Sequence, residues 1–133
     1  MKYLLDTDIC IFWLRGHEPV RHSLAAVGPE ATAISVITLA ELRYGAECSA
    51  QPEANHRAVD DFINAVVILD VDGGVAHRFG DFKAQLRRRG MLIEDFDLLI
   101  AATACTYRLT LVTNNTDHFS RIPELEVENW VQT

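Results

Sequence analysis

Three carboxylates, Glu94, Asp95 and Asp97, crowd the front of the segment IEDFDLLIAATA, which is otherwise small and apolar. Two more acids stand in apolar surroundings. Asp6 ends the short run Tyr3-Leu4-Leu5, and Glu41 lies inside SVITLAELRYGAEC, on one helical face with Ile37, Tyr44, Gly45 and Cys48. An ionised carboxylate on such a face is unfavourable unless it is paired or holds a cation. Capping accounts for part of the set: Asp8 and Asp95 are well placed to cap the helices that follow them. Taken alone Asp6 too reads as a helix cap, but with Asp8 capping, Asp6 and Asp97 are free for other work. Asp97 would sit in a first helical turn, where the helix dipole stabilises negative charge, heading a face shared with Ile100, Ala101 and Ala104. Gly45, inside a helix, predicts a close approach on the Glu41 face. Thr113 and Asn115 follow the apolar run Leu109–Val112, where hydroxyl and amide groups could hold ion-bound water; Asn114-Asn115 is equally good turn chemistry.

Carboxylates brought together repel one another unless a cation sits among them. Oxygen ligands without His or Cys select Mg²⁺ or Mn²⁺ over zinc. Such an ion activates water and clamps a phosphate for in-line displacement, so the chemistry expected of Asp6, Glu41 and Asp97 is metal-dependent phosphodiester hydrolysis. The five histidines show no metal-ligand spacing, and neither a P-loop nor a G-x-G-x-x-G is present.

The elements that must position these acids alternate. Strands are expected at Tyr3–Leu5, Ala31–Ile34, Val66–Leu69 and Leu109–Val112, with a short fifth at Glu126-Val127. Helices are expected from Ile9 to Leu14, from Pro19 to about Gly28, from Ser35 as cap to Cys48, from Pro52 to Ala65, from Gly74 to Arg89 and from Asp97 to Tyr107. This order predicts an α/β fold, a mostly parallel central sheet of four to five strands with helices on both faces. Asp6 and Thr113 would then stand beyond the carboxyl ends of strands, where open α/β sheets bind ligands.

Length and composition bound the rest. The 133 residues are read as one domain, residues 1–133, with a sizeable core. No apolar run approaches a membrane span, and the early Asp6 does not suit a signal peptide, so a cytoplasmic protein is expected. Cys10, Cys48 and Cys105 are odd in number and far apart, consistent with a reducing compartment and with cysteines serving as small core residues. The net charge of −7 argues against a nucleic-acid partner taken alone. Acids loaded with metal no longer count as negative, however, and Arg87-Arg88-Arg89 concentrates positive charge. That run reads equally well as a solvated helix end stopped by Gly90.

Taken in order, YLLDTDICIFWL, SVITLAELRYGAE, IEDFDLLIAATA and LTLVTNNTDHFSRIPELEVENW resemble the successive motifs of PIN-domain ribonucleases, in particular the VapC toxins of bacterial type II toxin–antitoxin systems. The resemblance covers essentially the whole chain. It implies a PIN-like fold, with Asp6, Glu41 and Asp97 as metal-binding acids and Mg²⁺ as cofactor, Mn²⁺ being a possible substitute. It implies endonucleolytic cleavage of RNA, often a structured one such as a tRNA, with Thr113 and Asn115 fixing ion-bound waters. It further implies a VapB-type antitoxin that blocks the site, a homodimer within the larger complex, and promoter DNA bound only through the antitoxin. One departure stands out: many PIN domains carry a fourth acid where this chain has Asn115, and Asp117 is near but not at the matching place, which points to a single resting ion.

Two other classes share features with this sequence. Asp6-Thr7-Asp8 resembles the start of haloacid-dehalogenase-like phosphatases, which also need a downstream lysine; only Lys2 and Lys83 are available. A catalytically silent PIN-like binding module would keep the fold without needing the acids.

Overall fold

A computed structural model describes residues 1–131. Five strands, β1 (Tyr3–Leu5), β2 (Thr32–Ser35), β3 (Val67–Leu69), β4 (Thr110–Val112) and β5 (Val127–Glu128), form one sheet in the order β3-β2-β1-β4-β5. Every pairing is parallel. Parallel neighbours need crossover connections, and the helices supply them. The first connection contains α1 (Thr7–Leu14) and α2 (Glu18–Val27), and the second α3 (Val36–Glu47) and α4 (Pro52–Ile63). The third carries α5 (Gly73–Arg88) and α6 (Asp95–Thr106) across to the far side of β1, and the short α7 (Thr116–Phe119) precedes β5.

The chain therefore builds outward from β1 in one direction and then returns to build in the other. The strand order reverses between β1 and β4, and their carboxyl ends flank the crevice where such sheets bind ligands. The two ends are tied directly, Asp6 N donating to Val112 O at 2.9 Å.

Alternation along the strands divides the core in two. Leu4 lies opposite Ala33 and Leu111, and these three pack on one face against Val75, Phe82, Leu98 and Ile100 of α5 and α6. Tyr3, Leu5, Ile34 and Val112 point to the other face, against Ile9, Val20, Leu42 and Phe62. Ala101, Ala102 and Ala104 are fully buried, so α6 presses closely on the sheet and brings its N-terminus to the crevice.

The expected elements are present, with adjusted limits. A 3-10 turn at Pro29–Ala31 takes the residue assigned to the start of β2, which moves on to Thr32–Ser35. β3, β4 and β5 each begin one residue later than expected. α1 starts at Thr7 and α6 at Asp95, both earlier than expected, and α7 was not anticipated as a helix. Ser35 caps α3 as expected, accepting from Ile37 N at 3.0 Å. Gly90 stops α5 as expected, with φ 65°.

Three expectations fail. Cys10 is buried, but Cys48 is exposed and not a core residue. A Cβ added at Gly45 would meet nothing within 4 Å, so this glycine marks no close approach. The face it shares with Glu41 is open, with Tyr44 72% exposed. Among the described residues no helix is long and apolar enough to cross a membrane.

Leu4 is wholly buried on the central strand, whereas Val67 is 40% exposed on the edge strand β3. Leu4→Ala should lower unfolding free energy by about 2–5 kcal/mol in urea titration. Val67→Thr should change it by less than about 0.5 kcal/mol.

Candidate active site

Asp6 is the residue at which β1 becomes α1. Its extended backbone (φ −68°, ψ 160°) makes it the N-cap of α1, and its Oδ1 accepts from Thr7 N at 2.8 Å. Its Oδ2 accepts from the Thr113 hydroxyl at 2.8 Å, across the crevice at the end of β4. Asp6 therefore both caps and faces the mouth, which corrects the expectation that Asp8 would take over the capping. Asp8 instead reaches across to the β4 end. Its Oδ2 accepts from Asn114 N at 3.0 Å and lies 3.4 Å from Thr113 Oγ1. Its other oxygen, Oδ1, is buried without a partner.

Glu41 enters from α3. Thr7 Oγ1 donates to Glu41 Oε1 at 2.6 Å and lies 3.0 Å from Thr38 Oγ1, whose hydroxyl can donate to it in turn. Thr38 and Glu41 are three apart on α3, so one helical face delivers both groups to the start of α1. Arg43 does not pair with Glu41; it bonds Asp60 of α4 at 2.5 Å.

Asp97 sits in the first turn of α6. Asp95, expected to cap that helix, is itself its first residue. It accepts from Lys83 Nζ at 2.9 Å on the surface, and the N-cap position belongs to Glu94, which makes no side-chain capping bond. Asp97 Oδ2 lies 3.1 Å from Nε2 of His118 on α7. That nitrogen is buried, and the contact is at ion-pair distance without hydrogen-bond alignment.

The acids feel one another. Burial first, and then the charge of Asp8, pushes the Asp6 carboxyl up from 3.8 to about 7, with Asp97 adding to the rise. Burial also raises Asp8. Asp97 is raised by burial and by Glu41 and Glu94, while His118 opposes the shift. The crevice thus gathers Asp6, Asp8, Glu41, Asp97 and Thr113 at one mouth. Asn115 contributes differently from expectation: its backbone N–H donates to Thr113 Oγ1 at 3.0 Å, and its exposed side chain makes no hydrogen bond among the described residues. The Arg87–Arg89 run lies at the exposed end of α5. Arg89 is tied up there, donating to Arg121 O at 3.2 Å.

This donor set suits a hard divalent cation. It is all oxygen, it carries excess negative charge, and it includes a buried carboxylate oxygen with nothing to bind. Among the described residues no three His, Cys, Asp or Glu side chains stand close enough to hold a metal ion as they are placed, so the acids share a crevice and feel one another's charge without forming a ready ligand shell. Sequence reasoning missed Thr7, Thr38 and His118. The hydroxyls had no distinguishing signal, and His118 was set aside because its ligand-like neighbour lies 21 positions away in the chain.

A parallel sheet with carboxylates at its switch point describes a class of hydrolases that use divalent cations on phosphate esters. The model of the PIN domain family matches residues 3–125. Ribonuclease VapC2 of Rickettsia felis is 39% identical over 132 residues, covering 98% of each chain. The tRNA(fMet)-specific endonuclease VapC of Shigella flexneri is 37% identical over 130 residues, again covering 98% of each. The crystal structure of VapBC2 from Rickettsia felis bound to a DNA fragment from their promoter matches with a TM-score of 0.91 at 37% identity, covering 98% of this chain and 99% of that one. The chain belongs to the PIN-domain family, among its VapC ribonucleases. PIN nucleases generally depend on divalent metal. Nothing favours the haloacid-dehalogenase alternative, and Lys83, a lysine it would need, is engaged at the surface with Asp95.

The raised carboxyl of Asp6 has a thermodynamic consequence. The folded state holds its proton more tightly than the unfolded chain, so this stability is full below pH 3.8 and is lost as pH rises to about 7. In chelator, the melting temperature of the wild type should fall across that window relative to Asp6→Asn, which keeps the cap oxygen, turns from acceptor to donor toward Thr113 and does not titrate. Divalent cation should restore the wild type at the alkaline end, as read by thermal melts with and without the ion.

Proposed function

We propose that this chain is the toxin of a type II toxin–antitoxin pair, a Mg²⁺-dependent endoribonuclease acting on a structured RNA such as a tRNA in the cytoplasm. The observation that carries this reading is the convergence of Asp6, Asp8, Glu41 and Asp97 at one crevice, with Asp6 pushed to about 7 by burial and like charge. A site tuned for proton chemistry alone would not accumulate so many acids; a site for a hard cation would. The relatives named as ribonucleases favour RNA over DNA, which the hydrolytic chemistry itself does not distinguish.

On this reading Asp6 and Asp97 hold the ion, and Glu41 binds it or orients the attacking water. The Thr113 hydroxyl fixes Asp6, and the Asn115 N–H fixes that hydroxyl, so the carboxylate is held before substrate arrives. Thr7 does the same for Glu41. When bound, the cation lowers the pKa of a water and neutralises charge developing on the phosphate. Asp8 remains beside Asp6 and reinforces the demand for a cation.

The partner reading has support on the surface. A cleft of about 270 Å³ between α1, α3 and α4 is lined by Ile11, Leu14, Leu42, Ala46 and Val59, with Glu41 at its edge. Its apolar lining suits an inhibitory segment that lies along it and reaches the acids. The structure of VapBC2 from Rickettsia felis is of a complex bound to promoter DNA, and a cognate antitoxin carrying the DNA contacts is the matching expectation for this chain.

Purified free of antitoxin and supplied with Mg²⁺, the wild type should cut RNA. Asp97→Asn should lose about a thousandfold in rate, the equivalent of several kcal/mol of charge stabilisation, with its circular dichroism unchanged. Equal cleavage by both would refute the assignment. Ala58→Glu, at an exposed position lining the cleft, should weaken antitoxin binding by about tenfold in calorimetric titration while leaving RNA cleavage by the free protein intact.

A further inference from the structure

The acids of the crevice differ in how they are held. Asp6 has two donors, Thr7 N and Thr113 Oγ1. Asp8 has Asn114 N, and Glu41 has the Thr7 hydroxyl. Among the described residues, the only donor near the Asp97 carboxylate is His118 Nε2, 3.1 Å from Oδ2. The histidine is placed with some care. Its ring packs edge-on against Phe119, with centroids 5.7 Å apart at 82°, and Phe119 is fully buried. Helix α7 is closed by Ser120 N to Thr116 O at 2.9 Å and by Ser120 Oγ to Asp117 O at 2.7 Å. Nε2 is shielded from water and has no better partner than Asp97.

We propose that His118 is the positioning residue of Asp97: its Nε2–H takes Oδ2 and leaves the other carboxylate oxygen to the cation. The inference rests on the divalent-cation reading of the crevice. A nitrogen lone pair facing a carboxylate oxygen at this distance would be repelled, so Nε2 carries the proton and acts as donor. With that proton aimed at Oδ2, Asp97 has a fixed orientation instead of a free rotamer. Because Nε2 faces Asp97, it is not itself offered to the ion. Side chains that orient metal-binding carboxylates in this way typically govern affinity by about 10–100-fold.

The test is calorimetric titration of Mn²⁺ into the antitoxin-free protein for the wild type, His118→Ala, His118→Gln and Asp97→Asn. His118→Ala should bind Mn²⁺ about 10–100-fold more weakly. His118→Gln, which keeps an N–H at similar reach, should recover a substantial part. In RNA cleavage, the Mn²⁺ concentration for half-maximal rate should rise in His118→Ala, while the rate at saturating Mn²⁺ falls much less. A purely structural role would show no rescue by glutamine and no such split. Unchanged Mn²⁺ affinity in His118→Ala, with affinity lost in Asp97→Asn, overturns the positioning role alone. Unchanged affinity in Asp97→Asn overturns the reading of the site beneath it. Should His118→Ala fold poorly, His118→Gln compared with His118→Leu decides the matter: equal affinity in those two overturns the proposal.

Discussion

The hydroxyl of Thr113 is the point on which the crevice turns. It has one proton to give, and gives it to Asp6; it accepts the Asn115 N–H; and Asp8 is left with a longer contact and an unsatisfied oxygen. Two carboxylates thus share a neutral donor that can serve only one of them fully. In water this would matter little. With Asp6 buried, the sharing leaves negative charge poorly solvated, and the Asp6 carboxyl is pushed up to about 7. A divalent cation removes the conflict, and the stability and the chemistry of the site share that one origin.

Much of this was legible in sequence because parallel α/β architecture leaves coarse marks. Buried strands read as short apolar runs, and Asp6 and Thr113 stood at the ends of two of them. What the runs could not show is which strands are neighbours. That β4 lies beside β1 follows from the crossing of α5 and α6, and only this puts Thr113 on Asp6. The capping assignments were misread at Asp8 and Asp95 for a related reason. An acid near a helix start has several possible donors, and the choice was made by tertiary partners: Asn114 took Asp8, and Lys83 took Asp95. Gly45 misled because helical glycine has no single cause; here it borders the open cleft beneath Glu41. His118 was invisible because α7 meets α6 only in space.

The charge distribution reconciles an acidic chain with a polyanionic substrate. The net charge of −7 includes the carboxylates of the crevice, which a bound cation would screen where it counts. The arginines are partly committed elsewhere: Arg89 and Arg121 hold the loop before α6 by donating to Arg121, Met91 and Leu92 carbonyls. Of the basic run, among the described residues, only Arg89 is tied in this way, through the Arg121 carbonyl, while Arg121 itself holds the loop before α6.

The separation of 107 positions between Asp6 and Thr113 has an outcome for synthesis. The central strand β1 is made before any of its neighbours and β4 only after α6, so β1 has one flank bare while β2, β3 and the helices between are made. Neither the Thr113 clasp nor the His118 contact can form until the segment after α6 has emerged. A ribosome-bound nascent chain accordingly carries the first acid long before it carries a working crevice.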